Sequence, residues 1–140
     1  MKFFIKLNTI SILNALALFI AIELIVNVSH ISRLTGWEWD NVYLIIAVIN
    51  VIGLLLSTIF FIYLTKKWTL GRKYSYLSLL LWLPYFILCF SFFPVVFPIN
   101  AGVTLFPRFS LLIYGSVILY PVYLLFINLY ATPLRTDYEE

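Results

Sequence analysis

Lys66-Lys67-Trp68-Thr69-Leu70-Gly71-Arg72-Lys73 is the one dense block of positive charge in the chain, four cations in eight residues between two long apolar runs. A Lys or Arg at the centre of a bilayer costs roughly 2.5 to 3.5 kcal/mol on insertion scales, so this block stays in water. Short connections rich in Lys and Arg remain on the cytoplasmic side, so the block marks orientation as well as a segment boundary. The runs on either side of it then read as an antiparallel pair of membrane spans. Extended in both directions, the same reading gives four.

Composition points the same way. Soluble domains are about 45 to 50% apolar and about 25% charged, whereas this chain is 64% hydrophobic and 11% charged. The surplus of apolar side chains needs lipid as its solvent, and 140 residues make one domain. The single cysteine, Cys89, excludes an internal disulfide and a Cys-x-x-Cys redox or metal pair. A net charge of +3 is too small to suggest nucleic acid as a partner. The partners expected are the lipid bilayer and either another membrane protein or a second copy of the chain.

The fold expected is an all-α membrane protein, a four-helix transmembrane bundle with spans at about 7–28, 42–65, 77–97 and 109–131. The first span is interrupted by Asn14 and Glu23. It reads as a retained anchor rather than a cleaved signal peptide, because the apolar run continues well past Ala15-Leu16-Ala17. The second is the clearest, with Asn50 its costly interruption. The third contains Pro84, which removes a backbone hydrogen bond and predicts a kink, and ordered helix is expected to end near Phe93. The uncharged stretch from Pro94 to Pro107 predicts an interfacial connection, with a re-entrant loop as the sharper alternative. With both termini inside, seven Lys and Arg residues lie on the cytoplasmic side against Arg33 and Arg108 outside. This asymmetry predicts an N-in, C-in protein of the cell membrane, with the bacterial cytoplasmic membrane the expected location.

Between the first two spans, Thr35-Gly36-Trp37-Glu38 matches a capping box, predicting that a helix starts at Thr35. Trp37 and Trp39 suit the interfacial aromatic belt, and Glu38 and Asp40 would lie against the positive end of the helix dipole. Within the spans, Ala17 with Ala21 and Gly53 with Ser57 form two small-xxx-small pairs, through which the first two helices are expected to pack as the centre of the bundle.

Glu23 is the only ionisable residue inside a predicted span, and intramembrane acids are costly enough to mark sites. At 100° per residue, Glu23, Asn27 and His30 share a sector of about 60°, a ladder of carboxylate, amide and imidazole reaching the outer surface. Tyr114 comes to about the depth of Glu23 and Asn50 to roughly 4 Å deeper, and these are the candidate partners. The acid either holds a proton and bonds two helices together, or serves as a proton or cation site, or binds a partner. His30, Glu38 and Asp40 are outer-surface candidates. A lone histidine does not make a zinc site, so no metal and no cofactor is expected.

No His-Glu-x-x-His, Gly-x-Ser-x-Gly or phosphate-binding glycine loop is present in the sequence, and no enzyme activity is expected. In its four spans and the acid of its first helix, Glu23, the chain resembles the small multidrug transporters. Its longer first outer connection, proline-rich third span and lack of a glycine-rich segment in the fourth depart from that family, so no family residues are carried across. The function expected is helix-to-helix recognition of another membrane protein, as an accessory or regulatory subunit, an assembly factor or an immunity-type protein. The alternative is a proton-coupled small transporter or channel subunit using Glu23.

Overall fold

A computed structural model describes residues 2–69, 76–96 and 107–131. Among them are five α-helices and no strand: α1 (Lys2–Val26), α2 (Val28–Thr35), α3 (Trp39–Thr69), α4 (Ser78–Val96) and α5 (Pro107–Ala131). Runs of this length in helical form pair the backbone N–H and C=O groups between their ends internally, leaving only the terminal turns to other partners. Three helices are long and apolar enough to cross a membrane, over Lys2–Val26, Trp39–Trp68 and Leu111–Ala131, and Ser78–Phe92 of α4 forms a shorter apolar helix.

The helix ends follow from local chemistry. Lys66 and Lys67 occupy the last turn of α3, where cations suit the negative end of the helix dipole. α5 opens on Pro107, whose fixed φ and missing N–H are tolerated at a first helical position. α4 runs through Pro84 and Pro94 to Val96, three residues past the end expected at Phe93. Residues 70–75, which hold the second half of the basic block, and 132–140, the acidic tail, lie outside the described residues, as do 97–106, the greater part of the connection expected from Pro94 to Pro107, whose two ends are helical in α4 and α5.

The capping-box expectation is overturned. Thr35 is the last residue of α2, and Gly36 is its left-handed C-cap at φ 71°, with its N–H donating to the Ser32 carbonyl. The Thr35 hydroxyl donates back to the Ile31 carbonyl at 2.8 Å, and forward it accepts only a long 3.4 Å contact from the Trp37 N–H, so no box closes on Glu38. α3 starts three residues later, where the Glu38 carbonyl accepts from the Val42 N–H at 3.2 Å. A glycine that terminates one helix shares its position with the second residue of a box that would start another, and here termination prevails because only glycine takes that φ without strain. The Ser32 hydroxyl donates to the Trp37 carbonyl at 2.7 Å and fixes the elbow.

Packing also departs from the expected order. α1 makes its most extensive contact with α4 and the next with α3, while α5 packs on α3 and less closely on α1 and α4. The bundle is therefore centred on α1, flanked by α3 and α4, with α5 closing the side opposite. It is not built around α1 and α3 alone, and α3 and α4, neighbours in sequence, pack together only weakly if at all among the described residues. Cross-helix contacts fix the relative directions. Asn128 near the end of α5 donates to Ser78 at the start of α4 at 3.2 Å, and Lys66 at the end of α3 lies over the Tyr130 ring at 5.1 Å. Tyr85 in α4 donates to Asn8 near the start of α1 at 2.8 Å. α1 and α4 thus run away from this basic end of the bundle, and α3 and α5 run toward it.

Candidate functional site

The polar side chains of α1 divide between two sides of the helix. Its buried residues are Leu7, Ile10, Ser11, Asn14, Ala15, Leu18 and Ile22, one stripe spaced three and four apart that faces the interior. At 100° per residue, Glu23 lies about 140° from the centre of that stripe, turned off the core.

The Glu23 carboxylate is half-buried, and its Oε2 accepts from Asn27 Nδ2 at 2.9 Å. The same amide donates to the Glu23 carbonyl at 2.9 Å. Asn27 sits where α1 gives way to α2, at φ −90° and ψ 10°. The Asn27 N–H also donates to the Glu23 carbonyl at 3.0 Å, so the helical ladder continues at this step and the pair is a local, same-helix device. The expected interhelical partners are placed otherwise. Asn50 Nδ2 reaches the Ala21 carbonyl in a long 3.4 Å contact, two residues short of Glu23. Tyr114 is 69% exposed and points out of the bundle. His30, Glu38 and Asp40 are exposed on α2, the elbow and the first turn of α3. The ladder predicted to continue through His30 ends at Asn27.

The small-residue pairs separate in the same way. Ala17 and Ala21 are half-buried beside α3, as the Asn50 contact requires. Gly53 has nothing within 4 Å of where a Cβ would stand, and Ser57 returns its hydroxyl to the Leu54 carbonyl at 3.1 Å. Gly53 therefore does not provide a close backbone approach to α1.

The buried polar chemistry lies toward the basic end, in residues that sequence reasoning did not single out as a site. Ser11, Asn14, Thr65, Ser78 and Asn128 are all buried. Tyr120, on α5, donates to the Asn14 carbonyl at 2.7 Å, and its ring meets that of Trp82, on α4, edge-on at 5.0 Å. Tyr123 and Thr58 share a 2.7 Å bond between α5 and α3. Asn14 Oδ1 and Trp82 Nε1, which flank Tyr120, are buried without a hydrogen-bond partner among the described residues. These cross-helix bonds tie α1, α3, α4 and α5 together. A usable signal was present in the sequence: Ser11 and Asn14 fall on the same stripe as Leu7, Leu18 and Ile22.

From Asn14 toward α2 the interior becomes apolar. Ala15, Leu18 and Ile22 belong to the main core cluster with Trp82, Phe86 and Leu124, and Val28, Val42 and Ile46 form a second cluster beneath α2. Among the described residues no group of three His, Cys, Asp or Glu side chains comes close enough to hold a metal ion. No protein-family model matches the chain, and no similar curated protein or solved structure was found.

Proposed function

We propose that the chain is a small four-span protein of the cell membrane, with both termini and the Lys66 to Lys73 block cytoplasmic. In this reading it acts by helix-to-helix binding of another membrane protein, as an accessory or regulatory subunit, an assembly factor or an immunity-type protein. α4 has 19 residues, about 28 Å at 1.5 Å per residue, close to the roughly 30 Å of a hydrocarbon core. The reading assigns no catalytic residues and no cofactor.

The observation that carries it is where the spare surface lies. Only 11% of the apolar window of α3 is buried, and Leu44, Leu55, Leu56 and Ile59 are all more than half exposed. The interior is occupied by cross-helix bonds toward the basic end and by apolar packing toward α2, so one copy offers recognition surface outside rather than a polar route within. Two measurements test this. A photo-crosslinking residue at Leu55 or Ile59, in native membranes, should yield discrete protein adducts identifiable by mass spectrometry; lipid adducts alone at both sites would oppose the reading. In a Cys89-free background, a cysteine at Thr69 should resist an impermeant thiol reagent in intact cells, and labelling there would invert the topology.

A proton-coupled transporter or channel subunit is the second reading. Its support is the outward position of Glu23, since two copies facing one another would bring two carboxylates to one seam. Proton flux from the purified protein in liposomes, lost in Glu23→Gln, would favour it over the first.

A further inference from the structure

α1 carries a second stripe opposite the buried one. Ile12, Leu16 and Ile20 are exposed, and Glu23 and Asn27 continue the same line at intervals of four, four, three and four residues. That is the spacing by which one helix packs along another. The line is apolar toward the basic end and acidic near the α2 end, where Glu23 lies three residues before the end of α1 at Val26.

Three kinds of cover can be compared by what they do for the carboxylate. A carboxylate has about four acceptor positions, and the one side-chain donor it meets among the described residues is Asn27. Lipid tails would cover Ile12, Leu16 and Ile20 well and leave the acid's remaining acceptors unmet. A second copy would bring like charge to like charge at the same depth. A helix bearing Lys or Arg would supply both the opposite charge and the missing donors, and ionisable residues within membranes characteristically pair in this manner.

We propose that the Ile12, Leu16, Ile20 and Glu23 stripe of α1 is the docking seam for a membrane helix of another protein that carries a Lys or Arg at the depth of Glu23. The proposal rests on the interaction-protein reading and names the chemistry of its partner. The isoleucines and leucine supply packing, and Glu23 supplies register and selectivity. Asn27 holds the carboxylate toward one side of the helix and leaves its other oxygen for the partner.

The test uses the full chain, labelled with a fluorescence donor, in phosphatidylcholine vesicles. Acceptor-labelled Leu/Ala transmembrane peptides are added, one with a single Lys in the outer third and an otherwise identical one with Leu there. The Lys peptide should associate about tenfold more tightly, a difference of about 1.4 kcal/mol. Glu23→Gln should reduce it to the level of the neutral peptide with thermal stability unchanged, whereas Glu23→Asp should retain a preference for Lys. Equal binding of the two peptides, or undiminished binding by Glu23→Gln, would overturn the proposal. Stronger energy transfer between copies of the chain than to the Lys peptide would assign the stripe to self-association instead. Photo-crosslinkers at Ile20 and Leu55 in native membranes separate the two levels of inference. Protein adducts at Leu55 alone remove the α1 seam and leave the wider reading standing, and adducts at neither remove both.

Discussion

The two ends of α1 handle polar groups in opposite ways. Toward the basic end, Asn8 and Ser11 donate to carbonyls of their own helix, Asn8 also accepts from Tyr85 of α4, and the Asn14 carbonyl accepts from Tyr120 of α5. Near α2, the one acid of the helix bonds only to a residue four positions on, away from the interior. Neutral amides and hydroxyls are buried at far lower cost than a charge, even where one atom, such as Asn14 Oδ1, lacks a partner among the described residues. A carboxylate demands more donors than an apolar bundle supplies, and Glu23 lies on the side of α1 turned off the core. Under the proposed docking seam, a partner helix supplies those donors.

Removing Trp82 from the first region should have the largest effect. It is 1% exposed and touches both Phe86 and Tyr120, so Trp82→Ala is expected to cost about 3 to 5 kcal/mol, measured by denaturant or thermal unfolding in detergent followed by far-UV circular dichroism. A loss under about 1 kcal/mol would mean that this end is not the core. Tyr120→Phe keeps the ring and deletes the bond to the Asn14 carbonyl, with an expected loss of about 0.6 to 1.7 kcal/mol by the same measurement.

In the second region, Glu23→Gln and Glu23→Leu should each change the stability of the isolated chain by no more than about 0.5 kcal/mol, as for a surface site. A loss as large as that of Tyr120→Phe would show the acid to be part of the fold and erase the distinction between the regions. The smallest structural effect belongs to Gly53→Leu, where the site is open and stability should stay within about 0.5 kcal/mol. If α3 is also a recognition face, the added side chain should weaken crosslinking from Leu55 while leaving the fold intact.

The helices were legible and their arrangement was not. Four apolar runs gave spans within a few residues of the observed helices, because hydrophobic length sets a helix whatever it packs against. Which face turns inward is hidden in segments that are apolar all round, since no polar side remains to mark the outside. The rare polar residue is then the only guide, and it points inward in Asn14 and outward in Glu23. Asn50, expected beside Glu23, instead reaches the Ala21 carbonyl of α1, and Gly53, next along the same helix, is small without packing closely on anything. The Thr35 to Glu38 reading failed because a local motif was weighed without the helix that precedes it.

The central place of α1 has a consequence for biosynthesis. It precedes the other four helices in the chain, yet two of its polar partners are far along, 77 residues on for Asn8 with Tyr85 and 106 for Asn14 with Tyr120. Until α4 and α5 emerge from the ribosome, Asn8, Ser11 and Asn14 have no interior to face, and α3 alone covers one flank of the nascent helix. A chain interrupted before Ser78 would leave this side of α1 uncovered. Completion of α5 is thus the step that encloses the polar stripe of α1.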